Sequence, residues 1–242
     1  MPLNASPSLA IIIPALNEAD GIVPCLQALQ ALRARGVEVV LVDGGSTDGT
    51  QGLARPLADQ IVATSHGRAR QMNAGAALAR GGVLLFLHAD TRLPEHADRL
   101  ILAALDDARG SPVWGRFDVS IEGHSSWLKL VARMMNLRSR LTGIATGDQA
   151  IFVRRSAFAD VGGYPEQPLM EDIELSIRLK QLGPPACLRE RASTSGRRWE
   201  ANGVWRTIML MWRLRFDYWR GVKAERLARR YRPHGQVEQG TE

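Results

Sequence analysis

Polar residues gather where apolar runs stop. Leu9 to Ile13 gives way to Pro14-Ala15-Leu16-Asn17-Glu18, and Val37 to Val42 to Asp43-Gly44-Gly45-Ser46-Thr47-Asp48. Val83 to Leu87 gives way in the same manner to His88-Ala89-Asp90. Alternation along an extended chain turns His88 and Asp90 to one side, and an Asp at the mouth of a buried strand can hold a divalent cation against a diphosphate. Asp43 ends the most apolar run in its neighbourhood, where an unpaired carboxylate is costly; there it can accept N–H groups from a nucleobase. Glu171-Asp172 opens a helical pattern, and a carboxylate so placed can take the proton from an attacking hydroxyl. Gly147-Asp148-Gln149 precedes another apolar run.

Each of these residues has a purely structural reading as well. Asn17 and Ser46 or Thr47 are good helix caps, Asp90 can cap a helix beginning near Pro94, and acids suit the first turn of any helix. The glycines after Asp43 suit a tight turn. They do not form a P-loop, because the chain contains no GxxxxGK[ST].

The elements that must position these groups follow from periodicity. Leu9–Ile13, Val37–Val42, Gln60–Ala63 and Val83–Leu87 are continuous, β-branched runs of the kind buried on both faces of a sheet. Helical patterns lie between them at Glu18–Arg35, Asp48–Ala58 and Gly67–Arg80. Strand and helix alternating at this spacing predict βαβ units and a mostly parallel, Rossmann-like open sheet flanked by helices. Further on, Pro94–Ala108, Trp127–Leu141 and Glu171–Leu182 read as helices. Val113–Ile121 reads as a mixed or antiparallel strand and Ala150–Val153 as another strand, with Pro184-Pro185 as a stop. Ligands of open α/β sheets sit beyond the carboxyl ends of the strands, which is where the polar clusters lie.

The order of these motifs resembles the family 2 glycosyltransferases. PALNE, VDGGSTDGT, GRARQMNAG, HAD, GDQ and GGYPEQPLMEDIELSIRLKQLG succeed one another over roughly residues 8 to 200. The resemblance implies a GT-A fold and an inverting transfer from a nucleotide-diphospho-sugar to an acceptor hydroxyl. By position it implies that Pro14, Asn17 and Glu18 line the nucleotide pocket, with Asp43 on the base and Asp48 beside it. Arg70 and Asn73 fall near the donor. Asp90 matches the last Asp of the family's DxD, the ligand of a divalent cation (Mn2+ or Mg2+), and Asp172 matches the catalytic base, with Glu171 beside it. Asp148 and Gln149 fall on the acceptor or diphosphate side. Arg197-Arg198-Trp199 resembles the Q/RxxRW element of larger relatives at a different spacing, which puts Arg198 and Trp199 on that side too. The first Asp of DxD is His88 here, a residue for the ribose, the metal or the pocket wall. That departure leaves open a lapsed domain that binds a membrane or protein partner. A sugar-phosphate nucleotidyltransferase is a further alternative, but its GxGxR and following Lys are missing near the first strand.

Composition bounds the rest. With 242 residues, 45% of them apolar, the chain can bury a sizeable core, and its net charge of +6 is too low for disorder. Cys25 and Cys187 are isolated, so a disulfide framework is excluded and a reducing, cytoplasmic setting is expected. The first basic residue is Arg33, unlike a secretory leader, and no apolar run reaches the about 20 residues of a spanning helix.

The charge is uneven: residues 197–232 carry 11 Lys or Arg against three acids, while the remainder is near neutral. An α/β domain over 1–196, a basic helical segment over 197–232 and a tail over 233–242 are therefore expected. Trp205, Ile208, Met209, Trp212, Phe216 and Trp219 share one helix face, flanked by Arg206, Arg213, Arg220 and Lys223. That face either docks on the domain or lies on an anionic membrane, which would suit a lipid-linked acceptor. A nucleic-acid partner is not expected beside donor-site motifs.

Overall fold

The computed structural model describes residues 8–106 and 110–231, apart from the side chains of 198 and 202. The tail expected over 233–242 and the end of the helix expected to reach Ala108 lie outside the described residues. In chain order the elements are β1 (Leu9–Ala15), α1 (Ala19–Ala28), α2 (Gln30–Ala34), β2 (Glu38–Asp43), α3 (Thr50–Ala54), β3 (Gln60–Ala63), α4 (Arg68–Leu78) and β4 (Val83–Phe86). Then come β5 (Thr91–Arg92), α5 (Ala97–Ala104), β6 (Trp114–Glu122), α6 (Trp127–Thr142), β7 (Phe152–Arg154) and α7 (Arg155–Asp160). The last are α8 (Glu171–Leu179), β8 (Ala186–Ser195), α9 (Arg197–Asn202), α10 (Val204–Trp219) and α11 (Ala224–Tyr231).

The described strands form one sheet in the order β3-β2-β1-β4-β7-β6-β8-β5. β3, β2, β1 and β4 run parallel, so the first half is the open α/β sheet expected from the alternating pattern. β1 has β2 on one side and β4 on the other. The chain leaves β1 in one direction and returns on its other flank, which opens a crevice at the carboxyl ends of β1 and β4.

β1 is buried on both faces because its alternate residues feed separate cores. Leu9, Ile11 and Ile13 pack with α1, α2 and α5, whereas Ala10 and Ile12 pack with α4 and α8. α4 sits unusually close to the sheet at Gly75, where a Cβ would lie 2.5 Å from Ile12 and 2.8 Å from Val42.

The second half of the sheet is mixed. β6 pairs antiparallel with β7 and parallel with β8. β8 is a ten-residue strand where no strand was expected. Its register jumps from Phe117↔Leu188 to Asp118↔Arg191, so Arg189 and Glu190 bulge out of the ladder and interrupt the two-residue period. The helix expected over Glu18–Arg35 is two helices, with a tighter turn where Leu29 N–H donates to Leu26 O. The basic C-terminal segment likewise divides into α9, α10 and α11, with the turn between α10 and α11 made at Gly221, φ 84°. Among the described residues no helix is long and apolar enough to cross a membrane.

Candidate active site

The loops that follow β1 and β2 are stitched together at the carboxyl ends of those strands. Asn17 N–H donates to Ser46 Oγ (2.8 Å), and Thr47 N–H donates to Asn17 Oδ1 (2.9 Å). Asn17 adopts φ 53°, a left-handed conformation that Asn accepts more readily than most residues. Glu18 N–H donates to Thr50 Oγ1 (2.9 Å), while Asp48 accepts from Ala19 N–H (2.9 Å) and Thr50 N–H (3.0 Å). The Thr50 hydroxyl also donates to Asp48, and that bond, followed by the one from Ala19 N–H, holds the Asp48 carboxyl below the usual range. Asn17 and Asp48 therefore act on the loops, which they fix in place. Pro14 lies half-buried within β1, registered with Val42.

Asp43 closes β2 fully buried. Its Oδ2 accepts from Gly45 N–H (3.0 Å), Ser46 N–H (2.9 Å) and Gln51 Nε2 (2.7 Å), whereas its buried Oδ1 has no hydrogen-bond partner among the described residues. Burial alone would raise this carboxyl, but the bonds from Ser46, Gln51 and Gly45 outweigh it and keep the group ionised. A buried, ionised carboxylate with one oxygen unmatched is a site prepared for an N–H donor.

Behind it stands Gln71, which the sequence reading passed over. Its Nε2 donates to Ala15 O (2.8 Å) and Val42 O (2.9 Å), tying together the ends of β1 and β2. The readable signal was Gly75, one turn further along α4 on the same face, whose missing side chain lets the helix come close enough for that reach.

α4 also separates three residues of the GRARQMNAG motif. Arg70 is exposed, bonded to Ser65 Oγ (2.9 Å) and paired with Glu166 (3.3 Å). Asn73 uses both ends of its amide on the backbone of Tyr164, at 2.8 and 2.9 Å. Arg68, two residues from Arg70 and so about 200° around the helix, lies 3.5 Å from Glu171. Its guanidinium also faces the charges of Asp172 and Asp148. The structure thus brings Arg68 to the acids, a residue the sequence reading did not select.

Asp172 sits in the first turn of α8, behind Met170 at φ 65°. Oδ2 accepts from Gly147 N–H (2.9 Å) and Oδ1 from Ile173 N–H (2.8 Å). Burial, and next the charge of Glu171, push its carboxyl up to about 6, against the opposing pull of those N–H groups and Arg68. Glu171 itself is buried.

The GDQ motif, a single 3-10 turn over Gly147–Gln149, joins the Asp172 side of the site to β4. Gly147 holds Asp172, and Asp148 lies 3.3 Å from His88 Nδ1. Gln149 is fully buried and accepts from Thr146 N–H (3.3 Å), bracing the turn. The His88 ring lies against Gly147, where a Cβ would stand 2.3 Å from Nε2.

Asp90, two residues on, is exposed, with the Thr91 hydroxyl 3.4 Å from its carboxylate. Burial, then the charges of Asp90 and Asp48, raise the Glu18 carboxyl, while Arg197 and Arg68 oppose them. Among the described residues no three His, Cys, Asp or Glu groups gather into a cage. The donor set present is the exposed Asp90 carboxylate, whose charge reaches Glu18, and such hard oxygen suits Mg2+ or Mn2+ held jointly with a diphosphate.

The basic segment reaches the site from the other side. Leu214 of α10 and Leu227 and Ala228 of α11 pack on Leu169, Met170 and Ile173, around the start of α8. Of the Arg197-Arg198-Trp199 element, Arg197 is the residue whose charge reaches Glu18. Trp199 packs instead against the Val119 and Leu128 cluster, away from the acids, and the Arg198 side chain lies outside the described residues.

Residues 10–162 match the family model described as Glycosyl transferase family 2. The chain is 36% identical over 186 residues to the PGL/p-HBAD biosynthesis glycosyltransferase of Mycobacterium bovis, covering 72% of this chain and 70% of that protein. It is 31% identical over 210 residues to the succinoglycan biosynthesis protein ExoA of Rhizobium meliloti, covering 78% and 62%. Among solved structures it is similar to the mannosyltransferase PcManGT of Pyrobaculum calidifontis in complex with GDP-Man and Mn2+ (TM-score 0.60, 22% identity). It is also similar to S. aureus TarS in complex with UDP (TM-score 0.63, 18% identity). Each of these alignments takes in 78% of this chain, but only 57% of the PcManGT chain and 60% of the TarS chain. The fold is the GT-A fold of those neighbours, and with the family model and the bacterial relatives agreeing, the chain belongs to glycosyl transferase family 2: it is a glycosyltransferase.

Proposed function

We propose that the chain is an inverting, metal-assisted glycosyltransferase whose nucleoside diphosphate lies in the crevice between β1 and β4. The observation that carries this reading is Asp172: a half-buried carboxyl at a helix start, held by two backbone N–H groups and raised to about 6. A base so tuned is ionised at neutral pH yet basic enough to accept a proton.

Asp43 Oδ1 accepts an N–H of the base, in a loop that Gln71, Asn17 and Asp48 hold rigid. Asp90 would hold the divalent cation at the diphosphate. When bound, that cation supplies Lewis-acid stabilisation of the negative charge developing on the leaving group.

Asp172 takes the proton of the acceptor hydroxyl as its oxygen bonds to the anomeric carbon. The bond from that carbon to the diphosphate breaks on the opposite face, the nucleoside diphosphate leaves, and configuration inverts. Arg68 keeps the neighbouring Glu171 paired, so that the acid beside the base remains charge-compensated. His88, with Asp148, braces the turn between base and metal side and is a wall of the site.

Asp172→Asn tests the assignment. With a panel of sugar nucleotides, release of nucleoside diphosphate should fall by roughly 10²–10⁴-fold in the variant. Nucleotide binding, read by calorimetry, should be unchanged. Undiminished turnover would remove Asp172 from the role of base.

A further inference from the structure

The apolar face noted in α10 does not dock on the domain. α10 docks by another face, through Leu210, Met211, Leu214 and Tyr218. Trp205, Met209, Trp212, Phe216 and Trp219 remain between 55% and 80% exposed. Ile208 alone of the expected stripe turns inward, to the cluster under α6.

α6 repeats the arrangement. Leu128, Val131 and Ala132 are buried, while Trp127, Leu130, Met134, Leu137 and Leu141 are between 44% and 77% exposed. The rings of Trp127 and Trp205 meet at 4.7 Å, so the two exposed stripes join at the starts of their helices. Further along, the helices flank a cavity of about 980 Å³ lined by Arg138 and Thr142 of α6, Arg215 and Trp219 of α10, and Ile173 and Ile177 of α8. A second cavity of about 620 Å³ is lined by Arg220, Lys223, Arg226 and Arg229 at the turn into α11. Ten large apolar side chains exposed on two joined helices exceed the scattered exposure usual on a soluble surface.

We infer that α6 and α10 together form a platform that lies on an anionic lipid surface. The charges decide the occupant. Residues 127–142 and 204–223 contain nine Lys or Arg and a single acid, Asp217, which is already paired with Arg230 at 2.8 Å. Lys129, Arg133, Arg206, Arg213, Arg220 and Lys223 are all exposed beside the stripes. Two copies facing each other would set cation against cation, and a seam between helices wants opposite charges at its flanks. Anionic headgroups answer all of them at once, with the tryptophans at headgroup depth and the aliphatic side chains below. Docked this way, the larger cavity opens at the lipid surface beside α8, whose first turn carries Asp172. The platform goes beyond the transferase reading, and its test needs no donor.

The purified chain is sedimented with vesicles of phosphatidylcholine alone or mixed with phosphatidylglycerol. Partitioning should be at least about tenfold stronger on the anionic vesicles and weakened by added salt. Four of the six tryptophans lie on the platform, so brominated lipids should quench much of the wild-type fluorescence without any substitution. Leu137→Glu with Leu141→Glu, on α6 alone, should reduce binding as much as Trp212→Glu with Trp219→Glu on α10. All four positions are exposed, and an unchanged thermal melt confirms folding. Equal partitioning on both vesicles, absence of quenching, or concentration-dependent dimers abolished by these same variants would overturn the proposal.

Discussion

Partial burial of Asp172 works against the fold at neutral pH. Its carboxyl is raised to about 6 from an ordinary 3.8, first by burial and then by Glu171. The native chain therefore holds that proton more tightly than the unfolded chain. The resulting stability is full below the ordinary value and is lost as pH rises through about 6. As the proposed base, Asp172 must act in the opposite protonation state. The plot of kcat/KM against pH should rise to a plateau above about 6 and fall about tenfold per pH unit below it. A limb near the ordinary carboxylate value would show that the base is not this half-buried group. Asp43 is the contrasting case: hydrogen bonds from Ser46, Gln51 and Gly45 keep a more fully buried carboxylate ionised, as suits a group that accepts and never donates.

At the scale of elements, the site depends on one short turn. Gly147–Gln149 holds Asp172 through a backbone N–H and meets His88 through both Asp148 and the bare face of Gly147. Gly147→Ala places a methyl group in the imidazole and should destabilise by about 1–3 kcal/mol, as overpacking does. Adding His88→Ala should return most of that stability, because the clash has one partner; thermal melts of the two single variants and the double variant measure the coupling. If the double variant is as unstable as the sum of its parts, the contact is not what fixes glycine there.

The parallel half of the sheet was legible in the sequence because β1, β2 and β4 are buried on both faces and read as unbroken apolar runs. β8 was not legible, since its bulge at Arg189 and Glu190 hides the strand period behind two charges. That Asp43 closes a strand, that Asp90 follows one and that Asp172 falls in the first turn of a helix could be read from the ends of the apolar runs and helical patterns. The choice between Arg68 and Arg70 could not, because it depends on which side of α4 faces α8, and that is set by the docking of Gly75 on the sheet. The aromatic stripe of α10 was visible as a periodicity. That it stays uncovered, and that α6 carries a second one, depends on packing between distant segments.

For the molecule as a whole, the proposed nucleotide site and the proposed lipid platform belong to the two halves of one sheet. The parallel half ends in acids and stitched loops suited to a nucleotide and its cation, and the mixed half supports the helices that form the basic, apolar platform. α8 stands between them, with Asp172 at its start and Ile173 and Ile177 lining the cavity between α6 and α10. The central claim is that the crevice between β1 and β4 holds a nucleoside diphosphate through a cation at Asp90. It is tested most directly by thermal shift with UDP, GDP, ADP and dTDP, each with Mn2+, Mg2+ or chelator, on the wild-type chain and on Asp90→Ala. Ligand that binds only the native state raises the melting temperature by mass action. The account predicts a rise that needs both the metal and Asp90 and is largest for one diphosphate. A rise that persists in chelator and in Asp90→Ala, or none with any nucleotide, would contradict it.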